Sequence, residues 1–293
     1  MQCSVCGRGL EVVYIQNSSN PLKKLDVRKI NHQNVSFLLK ISKIILYDEP
    51  TVPEIQIVEI KKFIINTFPV TVEIRDNFFK NLDERKFEEI ASTRIFDLKN
   101  PFQKHTPTVE EIKIEIENTD MSENEEKILY DGFEFHKKVA EFIPINENDL
   151  YTLHIIFTNK ITCTFDDGDF RYHARALIGS NPMIISTTGM IEAPAKPKKY
   201  YLELMTEFTD EKIEELKKKY KGEFLEYHDS RLSEIAKGYI LQAIMYYETG
   251  DAFCDNSDCR LYNAHWQKDL FHTQIENKKF CNKHQKLFEE LKN

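Results

Sequence analysis

The apolar positions change period twice between residues 42 and 76. "SKIILYDEP" (42–50) is a short apolar run closed by Pro50, the pattern of a buried strand. "PEIQIVEIKKFIINTF" (53–68) sets Ile55, Val58, Ile60, Phe63, Ile64 and Phe68 on a roughly helical stripe behind a leading proline. "PVTVEIRD" (69–76) alternates like a strand. Strand, helix and strand in that order predict a βαβ crossover and a parallel strand pair.

Further along, "DERKFEEIASTRIFDL" reads as a helix and "EEIKIEIEN" alternates strictly, which predicts a strand. A charged, asparagine-rich loop follows at 118–126, and "EKILYDGFEFHKKVAEFI" fits either period. "DLYTLHIIFTNKITCTFDD" (149–167) predicts two strands joined around Asn159 and Lys160. "HARALIGSNPMIISTTGMIEAP" (173–194) predicts two more, joined by Gly179 to Pro182. "EAPAKPKKYY" is broken by prolines and reads as extended. "DEKIEELKKKYKGEF" (210–224) is a lysine-rich, solvated helix that ends near Gly222.

The clearest helix is "DSRLSEIAKGYILQAIMYYETG" (229–250). Asp229 or Ser230 can cap its start, with Glu234 near the capping-box position. Leu232, Ile235, Ala236, Tyr239, Ile240, Ala243 and Tyr247 share a face, so the helix is expected to be largely buried. Gly250 stands where a helix end favours a left-handed residue.

Composition narrows the class. Apolar residues are 41% and charged residues 30% of 293, as in a soluble globular chain. A net charge of −8 argues against a general nucleic-acid surface. The opening "MQCSVCGRGLEVVY" lacks a signal-peptide core, and no run approaches the roughly 18 apolar residues of a membrane span. The expectation is a cytoplasmic protein without a membrane role, where close cysteines bind metal more often than they pair.

The cysteines then become informative. Cys254-x4-Cys259 and Cys281-x2-His284 form two close pairs about twenty residues apart. Four soft or borderline ligands in two short clamps suit tetrahedral zinc, and a filled set of four points to a structural rather than a catalytic ion. Cys3-x2-Cys6 is a second half-site without an assigned partner. Cys163 lies in a strand and reads as core.

This region resembles archaemetzincin, a family of zinc-dependent metallopeptidases with the motif HExxHxxGxxHC-x4-C-x-M-x17-CxxC. With Gly250 on the motif glycine, Cys254 and Cys259 fall on its first two cysteines and Leu261 on its methionine. Cys281 follows after nineteen residues instead of seventeen, and His284 replaces the last cysteine. The resemblance therefore implies a structural zinc at Cys254, Cys259, Cys281 and His284. Its catalytic histidines are replaced by Ala243, Tyr247 and Phe253, and its general base by Ile244. None of these holds a divalent ion or activates water, so the old cavity is expected to be filled by aromatic rings. "YHAR", "EAPAKP", "KGYILQA" and "CRLYNAHWQ" also resemble stretches of an archaeal family of unknown function described as candidate metallopeptidases.

The expected architecture is α/β of the α+β kind. It is a metzincin-like mixed sheet with helices over 21–250, a zinc-stapled subdomain at 251–293 and a CxxC segment at 1–20. The expected function is a relative of metallopeptidases without the standard catalytic ligands, binding a peptide or protein partner in the old cleft. One alternative is an active hydrolase with relocated ligands at His173, His228 and His265, aided by Asp229 or Glu192. Another is a nucleic-acid-associated zinc protein using Lys196, Lys198 and Lys199 beside Tyr200 and Tyr201. The acidic chain disfavours the latter.

Overall fold

The computed structural model describes residues 39–117, 127–206 and 209–291. The predicted βαβ unit is present. β1 (Lys43–Tyr47) pairs in parallel with β2 (Thr71–Arg75), and α1 (Ile57–Thr67) crosses between them. α1 starts inside the expected helix because its first residues form a turn, in which the Val52 and Glu49 carbonyls accept from Ile55 and Val52. α2 (Glu84–Ala91) is capped by the Asp83 side chain.

β3 (Leu129–Asp131) passes directly into α4 (Gly132–Phe142), capped by Asp131. β4 (Thr152–Thr158) and β5 (Ile161–Asp166) follow on either side of Asn159 and Lys160, but they enter different sheets. β6 (Arg171–Arg175) and β7 (Leu177–Ile178) divide the third expected strand, and β8 (Met183–Ser186) follows the Gly179–Pro182 turn.

Two mixed sheets result. The larger has the order β2-β1-β4-β8-β7, with only β7 antiparallel, and the smaller has the order β3-β5-β6. β4 is buried along its whole length, as expected of a parallel strand covered on both faces. Period-2 alternation sends Ile44, Leu46, Ile155 and Ile185 into one apolar cluster. Ile45, Tyr47, Ile156 and Ile184 enter another on the opposite face.

Two expectations fail. "EEIKIEIEN" is not a strand but lies largely in α3 (Val109–Glu117). The helical repeat puts Glu111 and Glu115 on one side, where both reach Arg94. A buried ionic contact has overridden the alternating pattern. "EAPAKPKKYY" is not extended throughout, because α6 (Lys198–Leu204) begins directly after Pro197, whose fixed φ suits a helix start. Likewise β8 ends at Ser186, whose hydroxyl accepts from the Gly189 N–H and caps α5 (Thr187–Glu192). α7 (Asp210–Lys219) is the expected lysine-rich helix.

α8 (Leu232–Thr249) carries the first cluster. Its start differs from the expected cap: Arg231 is the cap residue, without a side-chain cap bond. Asp229 instead accepts from the Arg231 N–H and guanidinium, and Glu234 pairs with Lys237 and Arg260. Gly250 ends the helix at φ 78°, as predicted. Glu248 near that end accepts from the Lys40 and Ile41 N–H groups at 3.0 and 2.9 Å, tying the helix to the chain entering β1.

The remaining chain forms α9 (Gln267–Phe271), a π turn (His272–Asn277) and α10 (Asn282–Leu291). Cys259, Leu261, Leu270 and Phe288 pack in the same cluster as α8. Gln267 is fully buried and acts as a clasp. Its Oε1 accepts from the Leu225 N–H at 3.1 Å, and its Nε2 donates to the Ile191 carbonyl at 3.0 Å. Its backbone and that of His265 bracket Ala195 through two further bonds. No helix among the described residues is long and apolar enough to cross a membrane.

Candidate metal centre

The end of α8 launches the first two ligands. After Gly250 the chain turns, and the Cys254 N–H donates to the Leu261 carbonyl at 3.0 Å. This folds 254–262 into a closed loop that returns Cys259 to the same place. Cys281 precedes α10, and His284 lies one turn into it. The spacing read from sequence therefore brings all four side chains together, with ligand atoms within 4.8 Å of one another.

The distances allow a test of fit. Zinc bonds of about 2.3 Å to sulfur and about 2.0 Å to nitrogen put tetrahedral sulfurs about 3.8 Å apart, and sulfur about 3.5 Å from nitrogen. Cys254 Sγ stands 3.8 Å from Cys281 Sγ. His284 Nδ1 stands 3.6 Å from Cys259 Sγ and 3.2 Å from Cys281 Sγ. Three thiols and one imidazole therefore fit a borderline divalent ion with all four corners taken.

The surroundings also suit thiolates. The Asn256 N–H donates to Cys254 Sγ and the Cys281 N–H to Cys259 Sγ, each at 3.4 Å. Burial pushes the Cys259 thiol up to about 12 and raises Cys254. Burial also opposes ionisation of Cys281, yet backbone donors at His284 and Lys283 and the neighbouring thiols leave it lowered. Burial and the Lys283 charge lower His284, favouring the neutral imidazole that binds metal. A bound cation would stabilise all three thiolates.

The helix face upstream has the opposite character. Ala243 is fully buried and Ile244 is 1% exposed. The Tyr247 hydroxyl donates to the Leu150 carbonyl at 3.2 Å. Phe253 and Tyr262 wall a gap of only about 10 Å³ beside Tyr239 and Gln242. These side chains offer no group of metal ligands.

The three dispersed histidines have separate surroundings. His173 Nε2 lies 2.9 Å from Asp169, and with Asp166 they form the second metal-capable group among the described residues. His228 Nδ1 lies 3.2 Å from Glu54. The His265 carbonyl accepts from the Ala195 N–H. Periodicity alone does not single out Asp166 and Asp169, because Asp166 closes the expected strand. The signal was an aspartate-rich turn just before a strand histidine. Cys163 is buried as expected, its thiol pushed up to about 12 by burial. Cys3 and Cys6 lie outside the described residues.

A roomier cavity than the gap beside Tyr239 lies elsewhere. It holds about 550 Å³ between α4 and the segment 92–105, and no sequence motif pointed to it.

A family model described as "Probable metallopeptidase family (DUF6775)" matches residues 40–291. Comparisons with curated proteins and with solved structures give no match.

Proposed function

The chain belongs to this family of probable metallopeptidases, and from that premise we propose that it is a zinc-stapled protein that binds peptide or protein without cutting it. The carrying observation is the filled donor set of Cys254, Cys259, Cys281 and His284. Zinc there would cross-link the loop after α8 to α10. No corner remains for the water that a catalytic zinc must activate. The archaemetzincin frame supports the same reading, since its catalytic positions carry buried Ala243 and Ile244. Lys196, central to the nucleic-acid alternative, lies over Phe224 at 5.0 Å and 3.7 Å from Glu192. It is thus engaged within the fold, and we favour a peptide or protein partner and a cytoplasmic setting.

Metal analysis of the purified full chain tests this. We expect one tightly held zinc per chain, lost in Cys259→Ser with a large fall in melting temperature, and no peptidase activity. A second, readily chelated metal that restores peptide hydrolysis would overturn the reading.

A second reading has one observation in its favour. Asp166, Asp169 and His173 offer three ligands and would leave coordination positions open. A metal there must displace Arg171, whose guanidinium lies 2.9 Å from Asp169. Asp169→Asn separates the readings: loss of a metal-dependent hydrolysis, with the first zinc retained, would favour the hydrolase.

A further inference from the structure

We propose that Cys254 and Cys281 form an oxidation site, at which a hydroperoxide joins them in a disulfide and releases the zinc. This rests on the zinc-staple reading above and goes beyond it, since the new bond ties the same two segments that the metal ties.

The four donors are not equally placed. Cys259 is fully buried in the apolar cluster of α8, and His284 is 4% exposed. Cys254 and Cys281 are both partly exposed. A small oxidant therefore reaches one edge of the centre, and thiol oxidation follows access. Along that edge the two sulfurs stand 3.8 Å apart. A disulfide needs about 2.0 Å. Residues 255–258, beside Cys254, are exposed, which leaves that side room to close.

Contacts that need no metal hold the two sulfurs in register. The Arg260 N–H donates to the Lys279 carbonyl at 2.7 Å, and Gln274 Nε2 donates to the Arg260 carbonyl at 2.7 Å. Asn277 Nδ2 donates to the Asp258 carbonyl. These bonds lay residues 258–260 against 274–279, directly beside both cysteine clamps. Phe280 stacks on Phe288 at 4.1 Å, and Phe288 meets Phe68 at 5.5 Å. The chain around Cys281 is thus anchored in the core. Groups already held close lose less entropy when they react.

One thiolate sulfur attacks the peroxide O–O bond, becomes a sulfenic acid and expels hydroxide or alkoxide. The other thiolate displaces the new hydroxyl as hydroxide, and the S–S bond forms. Two electrons pass from the sulfurs to the peroxide oxygens. Cys259 and His284 then remain, and two donors hold zinc far less firmly than four. The covalent tie joins residues 27 positions apart and constrains the unfolded chain. In a reducing compartment such a bond is transient, so a thiol reductant and zinc restore the staple.

The test uses the zinc-loaded full chain, hydrogen peroxide and a zinc-sensitive dye. We expect zinc release to track thiol loss, and peptide mapping to show one disulfide, from Cys254 to Cys281. Cys259 and Cys163 should still react with an alkylating agent after unfolding. The oxidised, zinc-free chain should melt above the reduced chain stripped by a chelator. Dithiothreitol with zinc should reverse these changes. In Cys254→Ser, Cys281 should stop at a sulfenic acid that dimedone traps. A chain with Cys3→Ser and Cys6→Ser should release zinc like the parent. A bond that includes Cys259, a bond between chains, or zinc retained while other thiols oxidise overturns the proposal. So does an oxidised chain that melts no higher than the stripped one. A zinc-loaded chain that forms no such bond sinks this inference alone, whereas a chain purified without zinc sinks the staple reading with it.

Discussion

On one face of the five-stranded sheet, α8 packs so closely that the gap by Tyr239 holds about 10 Å³. Beyond the helices on the other face, α4 walls a cavity of about 550 Å³. The closed side packs apolar groups such as Ala243, Ile244 and Met245 along α8, with buried Arg260 and Glu248 near the helix's two ends. The open side rests on buried ions: Glu115 is fully buried, with Arg94 at 2.7 Å and Lys160 at 2.6 Å. Lys160 also lies over Phe79 and Tyr130. The contrast teaches that α8, the helix on which the archaemetzincin resemblance rested, is packed as core. Polar groups able to fix the cavity wall in place have gathered on the opposite side.

The hardest blow to this contrast is Ile244→Glu. It buries an unpaired carboxylate in an apolar cluster, so we expect a loss of about 5 kcal/mol or failure to fold, measured by urea unfolding. If Ala243→His, Ile244→Glu and Tyr247→His together fold and bind a second zinc, α8 is a poised site and the contrast breaks. Lys160→Met attacks the other side. It leaves Glu115 to Arg94 and Tyr130 alone, and should cost about 3 kcal/mol.

The third test is pH. His136 on α4 is 3% exposed, its Nε2 lies 2.9 Å from the Pro182 carbonyl, and burial lowers its pKa from 6.5 to about 4. The folded protein resists a proton that the unfolded chain accepts. Stability from this group is therefore complete above about pH 6.5 and is lost as pH falls toward 4. Between pH 7 and 5 the parent should lose about 2 kcal/mol more than His136→Phe. Equal losses would mean that the wall of the open side does not exclude charge. The smallest effect is expected for Tyr239→Phe. The Tyr239 hydroxyl has no hydrogen-bond partner among the described residues, so its removal should change stability by less than about 1 kcal/mol.

Much of the closed side was legible in the sequence. The βαβ unit obeys local periodicity, Gly250 marks a helix end by backbone sterics, and four metal-ligand residues in two short clamps announce themselves by spacing. The open side was not. Ile112, Ile114 and Ile116 alternate as in a strand, but α3 is fixed by Glu115 meeting Arg94 and Lys160 from distant parts of the chain. Phe102 reads as an ordinary loop aromatic until Tyr172, 70 residues away, takes its N–H. Tertiary partners decided both, and no local pattern carries them.

The Gln267 clasp has a consequence for biosynthesis. Translation runs from the amino end, so every described strand of both sheets leaves the ribosome before Gln267 does. Until that side chain arrives, the carbonyl of Ile191 and the N–H of Leu225 lack the partner that later joins them. The nascent chain therefore completes its sheets with the flank of α8 still uncovered. Chaperone dependence during that interval should fall on α8, the longest of the described helices.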